Sequence, residues 1–298
     1  MHRCGTIAVI GRPNVGKSTL VNQVVGHKVS IVSDKAQTTR RKVMGIATEE
    51  DYQIIFLDTP GLHEAHTQMN KLLNEAARSA IPDADVILVM VDVSRMPTKD
   101  DKTLGEILQK ENVYAKKKVI LCMNKMDQLQ AASVQRNYDT YSELFPAPII
   151  MMTSLSKRQN VDKLVACLVD AMPEGPALFP EDEYTDQPVR FMVAEFIREK
   201  ALQLTRQEVP HALAVSIAQW EEEGPRVVIS ADILVEREGQ KAILIGKGGS
   251  MLKEIGTKAR IEIEELTGLK VYLELFVKVR DNWRGNMAIL NELDYFAR

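Results

Sequence analysis

The sequence predicts two unlike halves: an α/β half built on a mixed, mostly parallel sheet, then a smaller α+β half. Three observations predict this. Over residues 1–172 short apolar runs alternate with amphipathic stretches, the pattern of a sheet covered on both faces by helices. Residues 173–188 then gather Pro173, Gly175, Pro176, Pro180 and Pro188 with Glu174, Glu181, Asp182 and Glu183, a stretch through which no helix can run. Beyond it, over 189–298, the order becomes helix, strand, strand, helix, loop, helix, strand, helix.

Taken in order, strands are expected at 6–10, 54–57, 86–91, 119–123 and 149–152. Between them, helices are expected at Lys17–Val25, 69–80, 101–109, Val134–Leu144 and 161–172. Residues 42–48 and 52–57 flank the charged tip Glu49-Glu50-Asp51. No helix fits so short a gap, so this pair should be an antiparallel hairpin. Residues 173–188 read either as a linker or as a packed, extended connector. A helix follows at Val189–Leu204, then strands at 212–220 and 227–236 around turn material at 221–225. A short apolar stretch at 241–245 precedes a glycine loop, and Ser250 is placed to cap a helix at 250–266. Apolar Val271, Leu273, Leu275, Val277 and Val279 alternate with Tyr272, Glu274, Phe276 and Lys278, the period of a half-buried strand. A last helix is expected at 285–296.

A chain of 298 residues is long enough for two domains, and 45% apolar content is enough for packed cores. Net charge is −3, so nucleic-acid binding would need a local patch. Cys4, Cys122 and Cys167 are too scattered for a disulfide framework or a zinc site, which fits a reducing compartment. Cys122, inside an apolar run, acts as a small hydrophobe. The apolar stretch at 6–10 is too short for a secretory signal, and the run at 86–91 falls far below the ~20 residues of a membrane helix. The expected location is cytoplasmic, with any membrane contact peripheral.

The sharpest motif is Gly11-Arg12-Pro13-Asn14-Val15-Gly16-Lys17-Ser18, which fits G-x-x-x-x-G-K-[ST] between a strand and a helix. Backbone N–H groups of such a loop converge on phosphate oxygens, and the helix start adds positive potential. Lys17 should reach the outer phosphates and Ser18 should ligate Mg²⁺, with Thr19 completing the phosphate set. Asp58-Thr59-Pro60-Gly61 ends the 54–57 run. Asp58 can hold Mg²⁺ through water, and Gly61 can offer its N–H to a γ-phosphate. Asn124-Lys125-Met126-Asp127 ends the 119–123 run. The Asp127 carboxylate can accept from N1–H and the 2-amino group of guanine, a donor pair adenine lacks. Asn124 can brace base and loop, and the Lys125 stem can pack on the ring. Thr153-Ser154-Leu155 follows the last strand, where backbone N–H groups can meet guanine O6. These segments all fall at strand C-terminal ends, where open α/β sheets bind ligands.

The joint pattern resembles the translation-factor class of P-loop GTPases. In that class a threonine between the first two motifs completes the Mg²⁺ shell when the γ-phosphate is present. Here Thr39, beside Arg40, is favoured over Thr38. The catalytic set is then Lys17, Thr39 and Gly61. Leu62 stands where many small GTPases carry a glutamine that orients the attacking water, so slow intrinsic hydrolysis of GTP to GDP is expected. Asn14 resembles GTPases of this hydrophobic-substituted kind that use a monovalent cation such as K⁺.

In the second half, Ile245-Gly246-Lys247-Gly248-Gly249 contains G-x-x-G ahead of a helix. In KH domains this loop clamps four nucleotides of a single strand through backbone contact. Lys241, Lys247, Lys253, Lys258 and Arg260 face only Glu254 among the acids of 241–260, a local basic patch. The expected RNA-binding set is Lys241, Gly246, Lys247, Gly248, Gly249, Lys253 and Lys258, and the element order is similar to type II KH domains.

With Lys35-Ala36-Gln37-Thr38-Thr39-Arg40 and Val235-Glu236-Arg237-Glu238-Gly239-Gln240-Lys241, the motifs resemble the Era family of bacterial GTPases over nearly the whole chain. The resemblance implies a P-loop GTPase domain joined to a KH domain. It implies a monomeric switch that binds the single-stranded 3′ end of small-subunit ribosomal RNA, assists small ribosomal subunit assembly and associates peripherally with the inner membrane. One departure stands out: the family's usual Ser-Ala appears here as Ser154-Leu155. The alternatives are a constitutive RNA-binding scaffold with a structural nucleotide, and an ATPase.

Overall fold

The structure is a computed structural model, and it describes residues 2–35, 38–62, 68–205 and 209–293. Ala36 and Gln37 of the 35–40 motif, and residues 294–296 of the expected last helix, lie outside the described residues. The chain forms two compact units: Met1–Ser30, Thr39–His66 and Asn70–Asp186 in the first, and Ile31–Thr38, Thr67–Met69 and Gln187–Arg298 in the second.

The first unit is a six-stranded sheet. Its strands are β1 (Arg3–Ile10), β2 (Val43–Glu49), β3 (Tyr52–Asp58), β4 (Val86–Asp92), β5 (Lys118–Asn124) and β6 (Ile149–Met152). Their spatial order is β2-β3-β1-β4-β5-β6, and only the β2–β3 hairpin is antiparallel. Around the sheet lie α1 (Lys17–Val25), α2 (Gln68–Asp83), α3 (Lys99–Lys110), α4 (Val113–Lys116), α5 (Val134–Leu144) and α6 (Val161–Ala171). The strand period of two sorts side chains to the two faces. Ile7 and Val9 of β1 join Leu20, Val21, Leu164 and Leu168 in one core. Ala8 and Ile10 join Leu104, Leu108, Tyr141 and Phe145 in the other. α3 starts where it does because Thr98 and Asp101 form a reciprocal capping box. The short α4 is absent from the expected elements; it follows Asn112, whose φ is 54°.

Residues 173–186 are a packed connector. The Pro173 carbonyl accepts from Cys4 N–H at 3.2 Å, Tyr184 O from Ile46 N–H at 2.9 Å, and the Thr185 hydroxyl donates to Met44 O at 2.7 Å. Buried Gln53 on β3 is the main clamp. Its Oε1 accepts from Leu178 N–H at 2.7 Å and Phe179 N–H at 2.9 Å, and its Nε2 donates to Phe179 O at 2.9 Å. Proline-rich chain has few donors to lose, so it lies extended along the sheet and satisfies its remaining groups there.

The second unit holds a three-stranded sheet, β7 (Ala214–Glu223), β8 (Arg226–Val235) and β9 (Lys270–Val279), antiparallel then parallel. Its helices are α7 (Val189–Leu204), α8 (Val209–Ala212), α9 (Glu238–Ile245), α10 (Ser250–Thr267) and α11 (Met287–Glu292). Ile255, Ala259 and Ile263 form the buried stripe of α10, one residue per turn. Buried Trp283 donates its indole N–H to Ala212 O at 2.8 Å. Three expectations are corrected. The loop between β7 and β8 shrinks to Gly224-Pro225, because Gly224 takes φ 60° and Glu223 pairs with Arg226. Ser250 is the first residue of α10 and caps nothing; Gly249, at φ 82°, is the N-cap. The last helix starts at Met287, where the Asn286 side chain accepts from Ala288 and Ile289 N–H. Within this unit, Val32 N–H donates to Glu199 at 2.8 Å, and Arg198 donates to the Thr38 carbonyl.

Removing the clamp should loosen the connector: Gln53→Ala should lower unfolding stability by about 2 kcal/mol in urea titrations, since two backbone donors lose their acceptor. An unchanged midpoint would show that the connector contributes no stability.

Candidate functional site

The loop between β1 and α1 is shaped by positions that exclude side chains. A Cβ on Gly11 would meet the Met90 carbonyl oxygen at 2.3 Å. Gly16 has φ 111°, and a Cβ there would lie 2.5 Å from Asn124 Nδ2. Asn14 is left-handed at φ 63°, and Val15 anchors the loop in the core. Pro13 lies so close to Gly61 that a Cβ on the latter would be 2.5 Å from Pro13 N. Lys17 is buried, its ammonium donating to Gly11 O and Arg12 O at 3.0 Å each. Burial lowers its pKa to about 8, against the opposing pull of the Asp58 carboxylate. Thr19, next along α1, is half-buried.

Ser18, Thr39 and Asp58 converge. The Ser18 hydroxyl donates to Asp58 Oδ2 at 2.7 Å and lies 3.0 Å from the Thr39 hydroxyl. Thr38 turns away, donating to Lys35 O at 2.7 Å. Asp58 is fully buried, and its other oxygen, Oδ1, has no hydrogen-bond partner. Burial raises its pKa above the usual carboxylate range, while Lys17 and the Ser18 and Ser30 hydroxyls pull it back. A buried carboxylate with an open oxygen beside two hydroxyls is a set of hard oxygen donors that suits Mg²⁺. Leu62 is turned into the core beside Leu57 and Ile87.

The base-recognition segments meet the phosphate loop through one side chain. Asn124 Nδ2 donates to Val15 O at 2.8 Å, and its Oδ1 accepts from Leu155 N–H and the Thr153 hydroxyl, both at 3.2 Å. The Leu155 N–H, expected at guanine O6, is engaged here with Asn124, and the Leu155 side chain is buried in the core with Val15 and Leu20. Its bulk fills core, which accounts for leucine in place of the family's alanine. Asp127 is an exposed carboxylate accepting from Ser154 Oγ at 2.6 Å and Ser156 Oγ at 3.1 Å. The Ser154 hydroxyl foremost holds its pKa below the usual range.

Sequence reasoning missed Asp92. At the end of β4 and almost fully buried, its Oδ2 lies 3.1 Å from Lys125 Nζ and 3.3 Å from both Arg12 Nη2 and Arg95 Nε. Burial disfavours its charge, yet the Ser94 hydroxyl, Lys125 and Arg12 outweigh that, and its pKa falls below the ordinary value. One carboxylate thus joins the phosphate loop to the base loop. The available signal was its position, a second aspartate, after Asp58, at a strand C-terminal end.

The glycine loop of the second unit runs Gly246, Lys247, Gly248, Gly249, with φ of 71°, 59° and 82° at its glycines. A Cβ on Gly248 or Gly249 would meet nothing within 4 Å, so this backbone is open to a ligand. Behind it a groove of about 450 Å³ runs between α10 and β9, with Leu252, Leu273 and Leu275 as apolar walls and Gly249, Lys253 and Arg260 along it. Lys247 is exposed at the loop tip. Lys241 does not line the groove, and Lys258 instead pairs with Glu254 at 2.8 Å. The leucine walls were missed; Leu252, Gly256 and Arg260 do share one helix face at steps of four, which the sequence alone displays.

Comparison with known proteins gives a consistent result. A family described as 50S ribosome-binding GTPase matches residues 6–125, and the KH domain family matches 208–284. GTPase Era of Lacticaseibacillus paracasei is 44% identical over 99% of this chain and 97% of its own length. GTPase Era of Geobacter metallireducens is 44% identical over 98% of each. The crystal structure of an Era in complex with MgGDPNP and nucleotides 1506–1542 of 16S ribosomal RNA superposes with a TM-score of 0.93 at 40% identity, covering 100% of both chains. A point variant of Aquifex aeolicus Era bound to GDP and aluminium fluoride gives 0.92 at 41% identity, covering 99% of this chain and 100% of its own.

The Asp92 hub is open to a direct check. Asp92→Asn, which keeps the shape and removes the charge, should weaken GTP affinity about tenfold while leaving the preference for guanine intact. Wild-type affinity in an equilibrium titration would show that the two loops are set without it.

Proposed function

The chain belongs to the Era family of GTPases, and we propose that it is a monomeric GTP-driven switch gripping the single-stranded 3′ end of small-subunit ribosomal RNA during small ribosomal subunit assembly. The observation that carries this reading is the adjacency of Thr38 and Thr39. Thr39 sits with Ser18 and Asp58 in the first unit. Thr38, its chain neighbour, belongs to the second unit, where its carbonyl accepts from Arg198. A pull on the Thr39 hydroxyl is therefore a pull on a segment that folds with the RNA-binding unit.

In this reading the phosphate-loop N–H groups and Lys17 bind the triphosphate. Ser18 and Thr39 hold Mg²⁺ directly and Asp58 holds it through water. The metal neutralises phosphate charge. Gly61 N–H reaches toward the γ-phosphate, and Asp127 reads guanine while Asn124 fixes the loops around it. Leu62 is buried and cannot orient water, which supports slow intrinsic hydrolysis. Left-handed Asn14 is the residue we assign to a K⁺ ion. Contact with the inner membrane would be peripheral, since no helix among the described residues is long and apolar enough to cross a bilayer. The relative bound to MgGDPNP and a 16S ribosomal RNA fragment supports the pairing of these two ligands.

Reciprocity supplies the test: if GTP alters RNA affinity, RNA must alter GTP affinity by the same factor. A short single-stranded RNA of the ribosomal 3′ end should shift GTP affinity about fivefold or more. Gly248→Asp should abolish that response and leave GTP affinity in the absence of RNA untouched, because it sets a negative charge in open space where phosphate would lie. No shift at saturating RNA would favour the scaffold reading. Base selection has its own check. Asp127→Asn should cost about a hundredfold or more in GTP affinity and transfer preference to the xanthine nucleotide. Unaltered guanine selectivity would remove Asp127 from base recognition.

A further inference from the structure

We propose that Ser30 is a positioning residue of the Mg²⁺ site: its hydroxyl holds the Asp58 carboxylate when the ion is bound, so that both ends of the segment Ile31–Thr38 are fixed at one ion. The inference rests on the GTP and Mg²⁺ reading above and adds a residue which that reading does not contain.

The backbone of Ser30 is fixed by α1. Asn22 lies four residues after Ser18 on that helix, so the two share one face. Its Oδ1 accepts from Val29 N–H and Ser30 N–H at 3.0 Å each, and its Nδ2 donates to Ser30 O at 2.7 Å. Both backbone polar groups of Ser30 are thus taken, and the residue is held to the helix that presents Ser18. Ser30 is only 4% exposed. Its hydroxyl is left over, buried and with no hydrogen-bond partner in the protein. A buried hydroxyl in that condition costs stability.

The neighbouring carboxylate is in a matching condition. Asp58 is fully buried, and its Oδ1 also has no hydrogen-bond partner. The Ser30 hydroxyl lies close enough to Asp58 to lower its pKa. A hydroxyl donor and a carboxylate acceptor are therefore neighbours, each with a hydrogen bond still to make. In this structure Ser18 is the hydroxyl that donates to Asp58, at 2.7 Å. In the reading above the Ser18 oxygen turns to the ion, and Asp58 must present its oxygens to the ion's water in one orientation. Ser30, held by Asn22 and not by the ion, fixes that orientation through a charge-assisted hydrogen bond. Position along the chain adds a consequence. Ile31–Thr38 groups with the second unit, and its flanking residues, Ser30 and Thr39, both group with the first. Thr39 reaches the ion directly and Ser30 through Asp58, so the segment is fixed at both ends.

The test loads the full chain with a fluorescent GDP analogue and follows nucleotide release over a series of Mg²⁺ concentrations and in EDTA. Ser30→Ala removes one oxygen and leaves the backbone contacts of Asn22 in place. It should raise about tenfold the Mg²⁺ concentration at which release is half slowed. Release in EDTA should match the wild type. The melting temperature of the nucleotide-free variant in EDTA should not fall, because the hydroxyl it loses has no partner there. An unchanged Mg²⁺ midpoint overturns the inference. So does faster release in EDTA or a lower melting temperature, since the hydroxyl would then serve the loop and not the metal site. Wild-type release that is indifferent to Mg²⁺ instead refutes the Mg²⁺ reading itself.

Discussion

The nucleotide site depends on the side-chain amide of Asn124. It is buried, and from the end of β5 its groups reach two other segments: Val15 of the phosphate loop, and Thr153 and Leu155 after β6. A buried amide left unpaired is costly, so the arrangement is all or nothing. If the phosphate loop moves, Asn124 Nδ2 loses its acceptor; if the last loop moves, Oδ1 loses its donors. The geometry also explains Gly16, since a Cβ there would take the space occupied by the Asn124 amide nitrogen. One buried side chain thereby joins the phosphate loop to the loop after β6.

Asp92 adds a second tie of a different kind. It gathers Lys125, Arg12 and Arg95 around one buried carboxylate. Burying a charge is unfavourable unless partners repay it, and here they do, as the lowered pKa of Asp92 shows. Asp58 is the contrasting case. It is equally buried, keeps one oxygen without a partner, and has a raised pKa. Two strand-end aspartates of the same unit thus differ in surroundings. One is ringed by three protein cations, and the other has Lys17 as its cation and keeps one oxygen without a partner.

The second unit follows another logic. Its groove pairs an open glycine backbone with leucine walls, so charge and apolar contact are supplied by different parts of one concave surface. That suits a polymer whose phosphates are alike and whose bases differ. The segment Ile31–Thr38 folds with this unit and continues at Thr39 into the other. Within this unit Val32 and Thr38 are held by Glu199 and Arg198 on α7.

Short-range pattern was enough for most elements and for the phosphate loop, because strand and helix periods and a single eight-residue motif are written in neighbouring residues. Helices α1, α5 and α7 match their expected bounds. What the sequence left undecided was long-range. Val15 and Asn124 lie 109 positions apart, and only folding of the parallel sheet brings β1 and β5 to one end. Residues 173–186 turned out to be a connector bound along the sheet, because Gln53, more than a hundred residues earlier, supplies its partners. The leucine walls of the groove come from a helix and a strand that meet only in three dimensions. Local sequence sets backbone preference and chemical type, whereas partner identity belongs to the tertiary fold, since a hydrogen bond or an apolar contact is specified by distance in space and not by separation along the chain.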